Sequence, residues 1–375
     1  MERTLPMPDG HDRNAGMQAG AAFHPVRDGR GEQAIAAPHG GARVDGAKAE
    51  DRFLVSIVVP TCGRADLLNR CLAGLTAQNF AAGDYEVIIV DDAPSDATRK
   101  VVGAWTERMA DRGLEVRYLP NRGPHGPAAA RNRGWQAARS PIIAFTDDDT
   151  VPTADWLRHG LAAFEKGAGV VRGRIEMPLS STPSDYERDA KHLETAEFVT
   201  ANCLARRAVL EQLGGFDERF RLAWREDSDL HFRLLDHGIA IADAPQAVVI
   251  HPVRPASWGV SMSQQKKVVF DALLYKKHPR RYRERIRATP RWDYYLIVLC
   301  LLGAPLALLL GKPALAAGAA IAWLLMTGRF CLARLRGTRK TASHVAEMVL
   351  TSAAIPPLAV YWRMVGALRF RVAFL

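Results

Sequence analysis

The sequence has few cysteines and no pattern that would use them together. Among 375 residues there are five, with no Cys-x-x-Cys pair and no spacing typical of a zinc site. They are Cys62, Cys71, Cys203, Cys300 and Cys331. This scatter argues against a disulfide scaffold and favours a reducing compartment. The start of the chain also lacks the apolar run of a secretory signal peptide.

Two common phosphate-binding motifs are missing as well. No Gly-x-x-x-x-Gly-Lys loop is present, which argues against a P-loop kinase or ATPase. No Gly-x-Gly-x-x-Gly follows the first predicted strand, which argues against a dinucleotide-dependent dehydrogenase. A glycine-containing loop at 123–127 precedes a predicted helix, whose N-terminus could face an anion, and an ordinary loop explains it equally well.

Basic residues are concentrated beside apolar segments. The formal net charge is +10, with one basic block at 276–291 and another at 329–340, on either side of a long apolar region. Such blocks are typical of the cytoplasmic side of a membrane, where they meet anionic lipid. A nucleic-acid-binding face is the alternative and would make binding steeply salt-dependent. The position of the blocks favours membrane lipids and no nucleic acid partner.

The pattern of the chain changes near residue 53. Residues 1–52, rich in Gly, Ala, Pro, His and charge, predict a disordered N-terminal tail. Strands are then predicted at 55–60, 86–90, 115–119 and 141–145, alternating with helices at 64–78, 95–110 and 127–138. This alternation predicts an α/β domain over 53–280 with a mostly parallel sheet, whose strands end at one ligand-binding edge.

The second half of this domain is less regular. Strands are predicted at 168–175 and 197–205, and helices at 206–213 and 226–237. Residues 239–250 predict a strand pair or one broken strand that ends at His251.

Three consecutive aspartates follow the strand at 141–145. Adjacent carboxylates repel one another, and a divalent cation with a phosphate beyond it would supply the counter-charge. Asp147 and Asp149 point to one side of an extended backbone and Asp148 to the other. Asp147 and Asp149 therefore suit a shared magnesium or manganese ion. Aspartates that shape a turn and cap the next helix are the alternative.

Further acidic residues lie at predicted element ends. Asp91 and Asp92 follow the second strand and suit hydrogen bonds from a nucleoside. Glu226 and Asp227 open a helix, where the helix dipole alone also favours acidic residues. His251, at a strand end on the same edge, suits a manganese-type ligand or a purely structural role.

Six short motifs, in this order, resemble family-2 glycosyltransferases of the GT-A fold. They lie at 58–61, 90–92, 126–132, 145–149, 214–217 and 226–230, within roughly residues 54–280. The resemblance implies a nucleotide-diphosphate-sugar donor and an enzyme that transfers its sugar.

The resemblance also implies roles for single residues. The metal site would comprise Asp149, Asp147 and His251. Asp227, in the pair with Glu226, would be the general base. The residues that the resemblance places at the nucleotide sugar are Pro60, Thr61, Asp91, Asp92, Arg131, Asp147 and Asp148.

A mechanism follows from these roles. An acceptor hydroxyl needs a carboxylate to take its proton, and a metal stabilises the leaving nucleoside diphosphate. One base and one metal give a single displacement that inverts the anomeric centre. The Gln-x-x-Arg-Trp signature common in processive members is not present, and SQQKK at 263–267 occupies roughly that place. This difference favours single addition over polymer synthesis.

The end of the chain is predicted to be membrane-associated, over residues 281–375. Apolar segments at 294–310 and 313–332 suit a transmembrane hairpin with both flanks cytoplasmic; a buried hairpin of a soluble domain is the alternative. A third apolar segment, 345–368, is predicted to be broken by Pro356 and Pro357 and to be interfacial or re-entrant.

The combined hypothesis is a multi-pass inner-membrane protein with its catalytic domain facing the cytoplasm. It would be an inverting, metal-dependent glycosyltransferase that modifies a lipid-linked or glycan acceptor in surface polysaccharide or glycolipid assembly. A polyprenyl-phosphate sugar transferase is the alternative within the same enzyme class. A non-catalytic nucleotide-binding scaffold is the alternative outside it.

Overall fold

Strands and helices alternate through the first part of the molecule. A computed structural model describes residues 52–374, apart from the side chains of residues 165 and 166. The first elements are β1 (Val55–Thr61), α1 (Ala65–Thr76), β2 (Tyr85–Asp91), α2 (Asp96–Ala110), β3 (Glu115–Pro120), α3 (Pro127–Ala137) and β4 (Ile142–Thr146). These confirm the predicted elements, with ends displaced by at most two residues. The predicted disordered tail lies outside the described residues, apart from Arg52.

The second part of the α/β domain contains shorter elements. They are β5 (Val151–Pro152), α4 (Trp156–Ala162), β6 (Val170–Glu176), α5 (Asp185–Ala190), β7 (Asn202–Arg206), α6 (Arg207–Leu213), α7 (Glu226–Asp236) and β8 (Ile241–Ile250). The strand predicted at 197–205 was wrong over its first five residues, which form no strand. Their apolar side chains are held by packing instead, since Phe198 stacks on His231 with ring centroids 5.3 Å apart.

Within residues 52–374, the eight strands form one sheet in the order β3-β2-β1-β4-β7-β6-β8-β5. The pairs β1–β2, β2–β3, β1–β4 and β6–β8 are parallel, while β7 is antiparallel to β4 and β6. The prediction of a mostly parallel sheet is confirmed. Residues 239–250, predicted as a strand pair or one broken strand, form the single strand β8. The register of β8 on β6 shifts between Gly173 and Arg174.

The sheet is buried on both faces. Every residue of β1 and β2 is buried, as expected for parallel strands that are covered by helices on both sides. Helix α3 lies especially close to the sheet, because a Cβ atom on Gly134 would come within 2.3 Å of a methyl carbon of Val58. This close packing fixes where α3 places its side chains at the ends of β1 and β4.

The remaining helices lie after the sheet. They are α8 (Val260–Ser263), α9 (Val269–Lys277), α10 (Pro279–Arg281), α11 (Trp292–Leu309), α12 (Pro313–Leu335) and α13 (Ala342–Phe370). The last three are long and apolar enough to cross a membrane. Two of them match the predicted hairpin, and they are joined by a turn in which Gly311 has a positive φ of 66°.

The predicted break at Pro356 and Pro357 was wrong. Both prolines lie inside α13, which is one continuous helix of 29 residues. A proline removes one backbone donor from a helix, but packing against neighbouring helices compensates for this loss in apolar surroundings. Helix α13 has such neighbours, because it packs against α9, α11 and α12.

The end of α13 joins the core of the α/β domain. Phe374 is buried in a cluster with Phe220, Phe232, Phe270 and Tyr282, and the rings of Tyr282 and Phe374 lie 5.4 Å apart. The last helix is therefore anchored in the same aromatic cluster that supports α7 and α9. The domain boundary predicted near residue 280 stays a prediction, because the side chains pack continuously across it.

The outer faces of α11 and α12 are covered with exposed leucines. Leu299 and Leu302 on α11 are 66% and 63% exposed, and Leu324 and Leu325 on α12 are 60% and 69% exposed. So much apolar surface on neighbouring helices marks contact with an apolar medium or a partner. Together with the length of the helices, it indicates membrane association.

We expect aspartate at Leu302 and Leu325 to release the protein from membranes. An aspartate near the centre of a transmembrane helix costs roughly 3 kcal/mol relative to leucine. The double variant Leu302→Asp/Leu325→Asp should therefore move from the membrane pellet to the soluble or aggregated fraction on carbonate extraction. The control is Leu54→Asp, at a leucine 54% exposed in the α/β domain, which should stay in the pellet. Equal retention of both proteins would contradict a membrane role for the hairpin.

Candidate functional site

Two aspartates and a histidine meet at the carboxyl edge of the sheet. Asp147 and Asp149 follow β4, His251 follows β8, and one ligand atom from each lies within 4.8 Å of the other two. The predicted metal residues are therefore brought together. Two carboxylates and an imidazole form a donor set that suits a divalent cation.

Asp148 is turned toward β1. Its carboxylate is buried, accepts a hydrogen bond of 2.6 Å from the Thr61 hydroxyl and lies 2.9 Å from the Arg64 guanidinium. Burial raises the pKa of Asp148 to about 7 even though Arg64 and Thr61 lower it. The guanidinium of Arg64 and the hydroxyl of Thr61 thus offset part of the repulsion among the three aspartates.

Asp149 lies among basic groups. Its carboxylate is 3.0 Å from Nε of Arg254, 3.6 Å from Nε2 of His251 and 3.7 Å from Arg64. The Nδ1 atom of His251 is buried and has no hydrogen-bond partner. The His251 ring nitrogen that faces Asp149 is Nε2, so a metal ion between the carboxylates and this nitrogen would have an imidazole ligand.

Arg131 connects the two acidic groups of the site. It lies on α3 and is 3% exposed. One nitrogen donates to Asp147 at 2.8 Å, and another donates to Glu226 at 3.3 Å. Although burial opposes ionisation, Arg131 and His251 hold the pKa of Asp147 below its usual range. Arg131 therefore keeps Asp147 charged at the edge of the sheet.

Helix α7 brings Glu226 and Asp227 to the site. The Thr200 hydroxyl donates to Asp227 at 2.6 Å, so one carboxylate oxygen is fixed. Burial raises the pKa of Asp227 although Arg131 and Thr200 lower it. Burial, reinforced by Asp227, also raises the pKa of Glu226 to about 8. The Thr200 hydroxyl lowers the pKa of Asp227 and Asp227 raises the pKa of Glu226, which favours Asp227 as the ionised member of the pair.

The residue before α7 has an unusual backbone conformation. Arg225 has a φ of 75°, in the left-handed region that side chains other than glycine rarely adopt. Its guanidinium donates to Asp271 at 2.6 Å, and the Trp224 indole donates to the same carboxylate at 3.0 Å. The carboxylate on α9 thus holds Arg225 in a strained conformation at the start of α7. Strained backbone of this kind is concentrated at functional sites.

The first acidic pair has a different environment. The Asp91 carboxylate is buried and accepts from the backbone amides of Ala93 and Ser95 and from the Tyr118 hydroxyl. Asp92 accepts from the Asn121 side chain at 2.7 Å and, as described next, from a loop amide. Both aspartates lie at the predicted edge, and their contacts shape the loops there. Pro60 is buried inside β1.

The glycine-containing loop at 123–127 is tied to Asp92. The Gly126 amide donates to the Asp92 carboxylate at 2.9 Å. Gly126 has a φ of 123°, and a Cβ atom there would lie 2.9 Å from the carbonyl oxygen of Arg221. Glycine is required because this position combines a backbone conformation closed to other residues with a close approach of two loops.

Three site residues were missed by the sequence predictions. They are Arg64, Thr200 and Arg254. Arg64 immediately precedes α1, the helix after β1, and Arg254 lies three residues after His251. Both are close in sequence to residues predicted at the edge of the sheet, and this closeness could have indicated them. Thr200 lies in the stretch that was wrongly predicted as a strand, and no local pattern indicates its contact with Asp227.

The fold and the site together define a protein class. A mostly parallel α/β sheet with an Asp-x-Asp motif after β4, and an acidic helix facing it, is a GT-A-type nucleotide-sugar-binding domain. Comparison with protein families agrees with this class. "Glycosyl transferase family 2" matches residues 56–214, and "Glycosyl transferase family group 2" matches residues 142–364, which is more than half of the chain. The chain belongs to this family and is a family-2 glycosyltransferase.

Curated relatives and solved structures give the same class. The glycosyltransferase AglE of Haloferax volcanii is 27% identical, over 57% of this chain and 71% of that protein. Validoxylamine A glucosyltransferase of Streptomyces hygroscopicus subsp. jinggangensis is 29% identical, over 57% of this chain and 56% of its own length. The chain thus spans only a little over half of this second relative.

One solved structure shares the fold over most of the chain. It is the mannosyltransferase PcManGT of Pyrobaculum calidifontis in complex with GDP-Man and Mn²⁺. The TM-score is 0.50 at 18% identity, over 87% of this chain and 90% of that chain. At this identity the likeness concerns the fold alone, and it agrees with the GT-A assignment.

We expect Arg131→Met to destabilise the protein strongly. Methionine keeps much of the side-chain volume but leaves Asp147 without its buried counter-charge, and breaking a buried ion pair costs on the order of 3 kcal/mol or more. The melting temperature should fall by several degrees in differential scanning fluorimetry. The control is Arg133→Met on the same helix, where the side chain is exposed and donates to the Pro120 carbonyl. Equal melting temperatures for the two variants would show that Arg131 does not hold the site together.

Proposed function

We propose that this family-2 enzyme is an inverting, metal-dependent glycosyltransferase that acts on a membrane-proximal acceptor. It moves a sugar from a nucleotide-diphosphate sugar during surface polysaccharide or glycolipid assembly. The observation that carries the proposal is the convergence of the Asp147–Asp149–His251 cluster and the Glu226–Asp227 pair, with Arg131 bonded to Asp147 and to Glu226.

The metal is assigned to the Asp147–Asp149–His251 cluster. Oxygen ligands from two carboxylates fit magnesium or manganese, and an imidazole ligand from His251 favours manganese of the two. When bound, the cation would stabilise the negative charge that develops on the leaving diphosphate. Arg64 and Arg254, which already lie beside Asp149, add positive charge on the same side.

The nucleoside end of the donor is assigned to the edge formed by β1 and β2. Thr61 and Asp92 lie at the ends of these strands, and the Asp92 side chain is partly exposed. Asp91 acts through the loop it orders, because its oxygens already accept hydrogen bonds from the protein. Asp147, held by Arg131, is the member of the metal cluster that we also assign to the nucleotide sugar.

Asp227 is assigned as the general base. Thr200 fixes one of its oxygens and lowers its pKa, whereas burial and Asp227 raise the pKa of Glu226, so we assign the ionised carboxylate of the pair to Asp227. It takes the proton of the acceptor hydroxyl while that oxygen attacks the anomeric carbon. A single attack from the face opposite the leaving group inverts the anomeric configuration.

The membrane helices determine where the enzyme binds its acceptor. Three apolar helices and the basic residues around them support a multi-pass protein of the cytoplasmic membrane, with its catalytic domain on the cytoplasmic side. Donor nucleotides are made in that compartment. A lipid-linked or glycan acceptor would reach the site from the bilayer surface.

We expect Asp149→Ala and Asp227→Asn to fail at different steps. Asp149→Ala removes a metal ligand, so it should lose the manganese-dependent thermal shift caused by nucleoside diphosphates. Asp227→Asn keeps shape and packing but cannot accept a proton. It should keep the thermal shift and lose roughly 10²–10⁴-fold in turnover.

The same pair of variants separates the rival functions. Turnover of Asp227→Asn close to that of the natural protein would favour transfer to an acceptor that is already an anion, such as a polyprenyl phosphate. A scaffold without catalysis would release no nucleoside diphosphate from any donor. Absence of a thermal shift with every nucleoside diphosphate and manganese would overturn the proposal itself.

We expect activity to decrease on acidification at a higher pH than for an ordinary aspartate. Only the ionised carboxylate accepts a proton, and the folded protein raises the pKa of Asp227, so protonation begins above the usual value of about 3.9. The measurement is kcat against pH with saturating metal and substrates, with nucleotide binding followed in parallel to exclude unfolding. A rate that stays constant down to about pH 4 would contradict the role of Asp227.

A further inference from the structure

A large polar cavity lies beside the site. It has a volume of about 560 Å³, is open to solvent on one side, and is bounded by α5, the segment after His251, and the facing ends of α12 and α13. Pockets for small organic ligands typically measure roughly 300–1,000 Å³. The cavity is therefore much larger than a single phosphate group requires.

The walls of the cavity are fixed by buried polar contacts. Arg334 of α12 is 7% exposed, lies 2.8 Å from Asp185 and donates to the hydroxyls of Thr351 and Ser352 on α13. The Glu347 carboxylate accepts from the Gly259 amide at 2.7 Å. These bonds join the α/β domain to the ends of two apolar helices, so the cavity is a built feature of the fold.

The cavity adjoins the reaction centre on one side and the apolar helices on the other. Arg254 lines it and is paired with Asp149 of the metal cluster at 3.0 Å. The opposite wall comes from the ends of α12 and α13, where the candidate membrane spans begin and end. A ligand here would lie between the bilayer surface and the transferred sugar, which is the place of the acceptor.

The lining carries no excess of either charge. Its three arginines, Arg254, Arg334 and Arg339, are matched by three carboxylates, Asp185, Glu187 and Glu347. Two of the arginines are already paired, Arg254 with Asp149 and Arg334 with Asp185. A bare anion is therefore poorly matched, whereas a neutral ligand with many hydroxyl groups could use both donors and acceptors.

Two side chains point to a sugar as that ligand. Trp258 is 50% exposed, and such a flat aromatic face packs against the C–H face of a sugar ring. His344 is 3% exposed, and neither of its ring nitrogens has a hydrogen-bond partner in the described part of the protein. Its nearest acidic atom is on Glu347, at 3.6 Å. Sugar hydroxyls would supply the missing partners, because each both donates and accepts.

We propose that this cavity binds the saccharide headgroup of a lipid-linked acceptor, with Trp258 stacking on a sugar ring and His344 bonding to its hydroxyls. The proposal rests on the proposed function, since it names the acceptor class for the same reaction. It implies that the enzyme extends a sugar that is already attached to a lipid. It also implies that an earlier transferase must supply the first sugar.

The test compares acceptors on the full-length protein in nanodiscs. The panel contains polyprenyl phosphate, a polyprenyl-diphosphate monosaccharide and a polyprenyl-diphosphate disaccharide, offered with the donor that the thermal-shift screen identifies. We expect transfer to a saccharide-bearing lipid and little transfer to polyprenyl phosphate. Trp258→Ala and His344→Leu should each raise the acceptor KM at least tenfold, while the donor KM and the slow hydrolysis of donor without acceptor stay unchanged.

The control is Trp292→Ala, which removes another exposed tryptophan, at the start of α11 and outside the cavity. It separates weaker acceptor binding from weaker membrane contact and should leave the acceptor KM unchanged. Preference for polyprenyl phosphate, transfer to no saccharide-bearing lipid, or an unchanged acceptor KM in both cavity variants would each overturn the proposal. Absence of donor binding and hydrolysis in the natural protein would instead overturn the proposed function.

Discussion

The site depends on the pairing of several carboxylates with arginines and a histidine at the end of a buried sheet. Asp147, Asp148, Asp149, Glu226 and Asp227 would repel one another strongly in surroundings with little water. Arg131 reaches Asp147 and Glu226 from α3, and other arginines and His251 lie beside the remaining aspartates. The close packing of α3 on β1, which needs a glycine at 134, is what places Arg131 between the two groups. The packing of one helix on the sheet thus determines where the counter-charge of these carboxylates lies.

Much of the fold could be predicted because its pattern is local. Buried parallel strands are continuous apolar runs, and helices between them show a 3.6-residue period, so β1 to β4 and α1 to α3 were predicted within two residues. The cluster of Asp147, Asp149 and His251 followed from the rule that parallel strands end at one edge.

The rest could not be predicted because it depends on contacts between distant residues. Thr200 contacts Asp227 only because an apolar stretch that resembles a strand is packed as a loop. The left-handed Arg225 is stabilised by Asp271, 46 residues away. Pro356 and Pro357 predicted a break, and the neighbours of α13 that allow a continuous helix are invisible in its own sequence. In each case tertiary packing overrides a local preference.

The burial of Phe374 has a practical consequence for how this enzyme can be handled. Phe374 packs in the aromatic cluster that supports α7 and α9. Cutting the chain near residue 280 to obtain a water-soluble catalytic half would remove Phe374 and α13, and it would expose the buried rings of Phe220 and Phe270. Such a fragment would expose an apolar surface next to α7 and would tend to aggregate. A low yield of soluble fragment would then result from the loss of α13 and Phe374.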